Sequence, residues 1–165
     1  MFTIHIVAQP NIGNRGPGII AAIMERMNLE MFKLQSFIVG ETIPAFFPDG
    51  APNIASTVTA QPAQLDGTVI RGNVTAGGPR TTKITLKSGA EVDYAAVQEF
   101  GIYHEYTIEP FNKKALRFMI QGNAVFARKV VHPGLMARPF MEYGLQEMSD
   151  EITAGLQDTL NRMLA

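Results

Sequence analysis

The longest periodic run of apolar positions starts after Gly16, where Ile19, Ile20, Ile23, Met24, Met27, Met31, Leu34 and Ile38 recur at steps of three and four. That spacing puts them on one face of an amphipathic helix. Pro17 suits a first helical turn, Gly16 can precede it as a cap, and Gly40 supplies a stop. Glu25, Arg26, Glu30 and Lys33 are expected on the wet side, and the methionines are read as gap-fillers of a core. A second run covers Arg138 to Leu164, with Phe140, Met141, Leu145, Met148, Ile152, Leu156, Leu160 and Met163 at near-helical spacing after Pro139. It predicts a long C-terminal helix. Gly144 and Gly155 each weaken that helix by about 1 kcal/mol relative to alanine, so tertiary or subunit packing must hold it.

Outside the two helices the period changes. Phe2, Ile4 and Ile6 alternate with Thr3, His5 and Val7, which reads as a strand. "PAFFPDGAPN" (44–53) carries three prolines and predicts a loop, whose rings Phe46 and Phe47 either enter the core or anchor a partner subunit. "IASTVTA" (54–60), "GTVIRGNVTA" (67–76) and "TTKITLK" (81–87) read as antiparallel strands, separated by Pro62, by the tight-turn pair Asp66-Gly67, and by "GGPR". The glycine-rich, basic "TAGGPRTTK", with Arg80 and Lys83, lacks P-loop spacing and leads into no helix, so it is expected to be a mobile hairpin tip. In "VDYAAVQEFG" (92–101), Asp93 caps a short helical turn bearing Tyr94, Val97 and Phe100, and Gly101 ends it. An extended arm follows, then a turn at Glu109-Pro110 and a strand in which Leu116, Phe118 and Ile120 share a face. "AVFARKVV" (124–131) returns as its partner. The whole predicts one α+β domain over residues 1–165: an antiparallel β-sheet packed against an N-terminal amphipathic helix and a long C-terminal helix.

Composition narrows the chemistry. The chain has 165 residues, enough for a single core, and a formal net charge of -1, which gives no overall field toward nucleic acid or an anionic membrane. Cysteine is absent, which excludes disulfides and thiolate sites and fits a reducing cytoplasm. The first residues do not form a secretory signal, and no run approaches the roughly 18 apolar residues that cross a bilayer, so no membrane partner is expected. The three histidines, His5, His104 and His132, stand in no metal-binding spacing. Ser36, Ser56, Ser88 and Ser149 stand in no nucleophile elbow, with Ser88 placed in a turn. No catalytic residue, metal or cofactor is therefore expected, and a small hydrolase using His104 or His132 with nearby carboxylates is a remote alternative. Lys113, Lys114, Arg117, Arg128, Lys129 and Arg138 crowd one window. They form a solvated or salt-bridged surface or, as the main alternative, a contact to nucleic-acid phosphates.

Two segments, "YAAVQEFG" (94–101) and "HPGLMARPFMEYGL" (132–145), stand with "IEPFNKKALRF" and "VFARKVVHPG" between them. Together they resemble the head-tail connector and tail-completion proteins of tailed bacteriophages. The residues that carry the resemblance are Tyr94, Glu99, Phe100, Gly101, Pro110, His132, Pro133, Gly134, Arg138, Pro139 and Phe140. Ile102 departs from it, since the family has threonine there. The resemblance implies a non-enzymatic virion protein, made in the host cytoplasm and working as a ring, commonly of six copies. Its partners would be further copies of itself, a tail-tube protein, and a head-closure or portal-adaptor protein, with DNA only passing through the lumen. Phe46, Phe47, Arg80, Lys83, Tyr103 and Tyr106 are the candidate interface residues. His132 is then a turn residue at the entry to the last helix.

Overall fold

The computed structural model of the chain describes residues 1–8, 16–85, 91–110 and 113–165; Ser88 lies outside them. The first helix, α1 (Gly16–Phe37), buries Ile19, Ile23, Met27, Met31 and Leu34 along the expected stripe. It does not stop at Gly40. A π-helical turn over Ile38–Thr42 carries the chain into α2 (Ile43–Phe46), and after a turn at Phe47–Gly50 comes α3 (Pro52–Ala55). The prolines predicted a loop here, yet both short helices place a proline in the first turn, where the missing N–H leaves no hydrogen bond unmade.

The main sheet has strand order β1-β3-β2, all antiparallel, from β1 (Phe2–Ala8), β2 (Thr59–Asp66) and β3 (Val69–Ala76). Asp66-Gly67 makes the β2–β3 turn as expected, with Gly67 at φ 61°. Pro62, expected between strands, lies inside β2. This is an edge strand, and its register shifts between Gln61 and Gln64, so the absent donor breaks no ladder bond. Two polar side chains of α1 secure that edge: Asn28 Oδ1 accepts from Ala63 N at 2.6 Å and Gln35 Oε1 from Ala60 N at 2.9 Å. In the middle strand, a Cβ at Gly72 would meet Met27 and Met31 at 2.5–2.8 Å, so the methionines occupy the space the glycine leaves and bring α1 close to the sheet.

The last helix, α5 (Phe140–Leu164), packs chiefly on α1 and the π-turn and only touches β1, so the layers run sheet, α1, α5. The sequence suggested that both helices rest on the sheet. Instead α1 lies between, and the two glycines of α5 are among its contacts: Gly144 sits over Ile38, and Gly155 over Arg26 and Glu30. That contact corrects the reading of the wet side. Glu30 is fully buried, its Oε1 2.5 Å from Arg26 Nη2 and 3.5 Å from Lys33 Nζ, while Lys33 also reaches Glu151 of α5 at 2.8 Å. The buried carboxylate is tolerated because it is paired.

The remaining strands join no main sheet. They are β4 (Thr82–Thr85) with β5 (Glu91–Asp93), β6 (Tyr106–Ile108) with β9 (Val130–His132), and β7 (Leu116–Ile120) with β8 (Asn123–Ala127). The single return strand expected over 124–131 is thus two strands with different partners. Between β5 and β6 lies α4 (Tyr94–Phe100).

The helix crossing gives a test. Gly144→Ala adds a methyl 2.6 Å from Ile38 Cγ1 in a fully buried site and should cost about 1–3 kcal/mol in urea denaturation, despite alanine's better propensity. Gly18→Ala, with nothing within 4 Å, should be neutral or stabilising by up to about 1 kcal/mol.

Candidate functional site: a junction and the arm it carries

A helix as short as α4 has little stability of its own, so its two ends must be held from outside. At its start, Asp93 Oδ1 accepts from Ala95 N at 3.1 Å and from the Thr81 hydroxyl at 2.6 Å, and Oδ2 accepts from Gly78 N at 2.8 Å and the Met1 ammonium at 2.6 Å. Burial alone would raise the Asp93 pKa. The hydrogen bonds from the ammonium, Thr81 and Gly78 outweigh it and hold it at about 2. Gly77, at φ 91°, leaves room for that carboxylate where a Cβ would collide with it. The "GGPRT" segment is therefore wrapped around Asp93 and is not a hairpin tip. Arg80 faces outward from it and is exposed, and Lys83 lies in β4.

At the other end, Glu99 is almost fully buried and reaches the start of α5, where its carboxylate accepts from Met141 N and Glu142 N, both at 3.0 Å. The residue preceding α5 is Pro139, which offers no capping side chain, so Glu99 acts as its N-cap from a distant part of the sequence. Burial pushes the Glu99 carboxyl above its ordinary value, and the amides of Met141 and Glu142 offset part of that rise. Beside it, Arg138 N donates to Gln98 O at 2.6 Å, and Ile102 and Leu135 exchange two backbone bonds of 2.8 Å. Gly101, at φ 73°, ends α4 where any Cβ would lie 2.8 Å from Leu135 O and Ala137 N. Gly134, at φ 106°, passes against Ile102 O in the same way.

The two motif segments "YAAVQEFG" and "HPGLMARPF" thus meet in one junction. Phe140 is fully buried within it, edge-on to Phe47 with ring centroids 6.0 Å apart, and the Arg138 guanidinium lies 5.2 Å from the Phe47 centroid. Phe47 therefore belongs to the core, and Phe46, edge-on to Tyr143 at 5.7 Å, is half-buried. The reading that exposes Phe47 to a partner fails, because the helical continuation through α2 turns both rings toward α5, while Phe46 keeps part of its surface exposed. His132 Nδ1 accepts from Gly134 N at 3.2 Å while Tyr106 stacks on its ring at 4.9 Å, a turn arrangement. His104 and Tyr103 are exposed, as are Tyr94, Phe100 and Pro133, and Pro110 is half-buried. Among the described residues no cluster of three or more His, Asp or Glu could hold a metal ion, and no helix is long and apolar enough to cross a membrane.

From this junction extends a long hairpin. The pairs Ile102↔Leu135, Tyr106↔His132, Ile108↔Val130, Leu116↔Ala127 and Ile120↔Asn123 nest one inside the next, and Gln121-Gly122 closes the tip with φ 49° and 82°, both positive, as a two-residue hairpin turn can require. No described residue between Gly101 and Pro139 is buried. Tyr103, Ile108, Met119, Ile120, Phe126, Val131 and Met136 expose large apolar side chains there, with Phe126 66% exposed. Lys113, Lys114, Arg117, Arg128 and Lys129 are exposed on the same arm. A lone two-stranded hairpin is marginally stable in water, and a contiguous exposed apolar surface marks an interaction site. Of the expected interface residues, only Tyr103 and Tyr106 lie on this arm. Met119 and Phe126 escape the sequence reading because they share their face of the hairpin with Arg117, which makes that face look solvated.

Fold and geometry define an α+β chain with an uncovered β-arm on a capped helix junction. Comparison with protein-family models, with curated proteins and with solved structures finds no match to this chain.

The caps can be tested directly. Glu99→Ala strands two amides and should cost about 2–3 kcal/mol by chemical denaturation, and Phe140→Ala about 3–5 kcal/mol, while His132→Ala should cost under about 1 kcal/mol. Asp93 sets a pH dependence. Its folded pKa of about 2 lies below the ordinary 3.8, so its contribution is present above pH 3.8 and is lost as pH falls toward 2. The stability gap between wild type and Asp93→Asn should therefore narrow over that window. Glu99 has the opposite sign: its titration favours the fold below 4.5 and loses that contribution as pH rises through its raised pKa.

Proposed function

We propose that this chain is a structural subunit of a tailed-phage virion, a tail-completion or head-tail joining protein that assembles as a ring at the head-proximal end of the tail. The observation that carries the reading is the arm: a long hairpin with apolar side chains uncovered, mounted on a junction made by the residues that resemble the family. A protomer built this way is incomplete alone, and a neighbour that covers the arm supplies the missing second layer. Such an arm-to-body contact is heterologous, and heterologous contacts close into rings when the rotation allows. The work is done by interface geometry, and the proposed function needs no catalytic group.

The clustered cations favour one second reading, a nucleic-acid contact through Lys113, Lys114, Arg117, Arg128 and Lys129. It would show as steeply salt-dependent binding to duplex DNA that Lys113→Ala, Lys114→Ala and Arg128→Ala together abolish.

The assembly reading is tested by sedimentation and negative-stain microscopy of the full chain, alone and with the tail-tube and head-closure proteins of the same phage. Rings or complexes several times the 18.0 kDa protomer are expected. Met119→Ser with Phe126→Ser should abolish them and leave the unfolding free energy of the protomer within about 0.5 kcal/mol, since neither side chain is in the core. A chain that stays monomeric with every one of those partners would overturn the proposal.

A further inference from the structure

We infer that the basic arm of one copy docks on the acidic outer face of α5 of a second copy, an inference that rests on the assembly reading above and names its surface. The charges of the chain are segregated. From Pro110 to Met141 it carries Lys113, Lys114, Arg117, Arg128, Lys129 and Arg138 and no Asp or Glu, although the net charge of the whole is -1. The Leu116↔Ala127 pair sets Lys113-Lys114 and Arg128-Lys129 at neighbouring levels on the two arm strands. Like charges so placed repel across the hairpin. None of these four, nor Arg117, joins an ion pair among the described residues.

The matching surface is on α5. Its helical repeat sets Glu147 and Asp150 side by side on the exposed surface, with exposed Glu142 nearer the helix start, and none of the three has a cationic partner among the described residues. The other α5 carboxylates are already paired, Glu151 with Lys33 at 2.8 Å and Asp158 with Arg162 at 2.9 Å. Arm cations and α5 anions are therefore two unpaired sets of opposite sign on one chain, and a head-to-tail contact between copies neutralises both. A protein surface fits the arm better than a phosphate backbone, because Met119, Ile120 and Phe126 lie on the same hairpin and gain nothing from phosphates. The arm's strands pack mainly on one another, so its outer surfaces are free to meet a second copy.

The test uses the full chain in three charge-reversed forms: the arm (Lys113→Glu, Lys114→Glu, Arg128→Glu, Lys129→Glu), the helix (Glu147→Lys, Asp150→Lys), and both together. Every site is exposed, and circular dichroism melts confirm that each form folds. Sedimentation velocity at low salt should show self-association weakened at least about tenfold by either reversal and restored by the combination. Four results would overturn the inference. The first is a combined form that fails to restore association while Met119→Ser with Phe126→Ser still abolishes it, in which case the arm assembles elsewhere and the assembly reading survives. The second is a wild type that stays monomeric up to about 1 mM. The third is a set of reversals that alters only the melting temperature of a monomer, which places the arm on its own α5. The fourth is an arm reversal that abolishes binding to a DNA duplex and leaves self-association unchanged, which assigns the cations to nucleic acid.

Discussion

The contact between the Glu99 carboxylate and the first amides of α5 is the constraint on which the rest of this molecule depends. Pro139 gives α5 a defined start but no side chain to satisfy its N–H groups, and Glu99 supplies the acceptors from α4. The carboxylate lies at the positive end of a long helix, which compensates part of the cost of burying it. One side chain thereby fixes α4 relative to α5. The arm leaves from between them at Gly101 and returns at Gly134 and Leu135, so its direction is set by the same contact.

Behind this junction is a dense stack. Glycine recurs where layers meet, at Gly72 under Met27 and Met31, at Gly144 against Ile38 and at Gly155 against the Arg26–Glu30 pair. Each lets backbone approach where a Cβ would force the neighbour to move. The helix propensity given up at Gly144 and Gly155, about 1 kcal/mol each, is offset by contact along α1. The result is a firm platform from which the arm projects.

How legible this was in the sequence depends on the range of the interaction concerned. The stripe of α1, the stripe of α5, the Asp66-Gly67 turn and the Asp93 cap are local patterns, and they were readable with their residues. Glu30 looked like a solvated helix residue because nothing near it in sequence says that Gly155 will open a space for it. Phe46 and Phe47 looked like loop aromatics because three prolines mask two short helices that use proline at their starts. Glu99 could be read as part of a motif, but its role as the cap of a helix some forty residues later could not, since such a cap is a tertiary contact with no spacing rule. The arm was seen as strands and turns. That none of the described residues covers it became visible only in three dimensions.

That lack of cover is the step from structure to biology. A sequence under selection for solubility places charge or proline on an exposed strand and keeps large apolar groups to one face. Here β7 and β8 expose Met119, Ile120 and Phe126 while the cations gather lower on the same hairpin. In the proposed assembly, a subunit that buries the arm recovers the apolar area and matches its charges at once. Because the base of the arm is fixed by Glu99, Gly101 and Gly134, the proposed docking would lose less orientational freedom and keep more of the buried area as binding free energy. A rigid mount, an apolar tip and a basic shaft are together what a repeating head-to-tail contact requires.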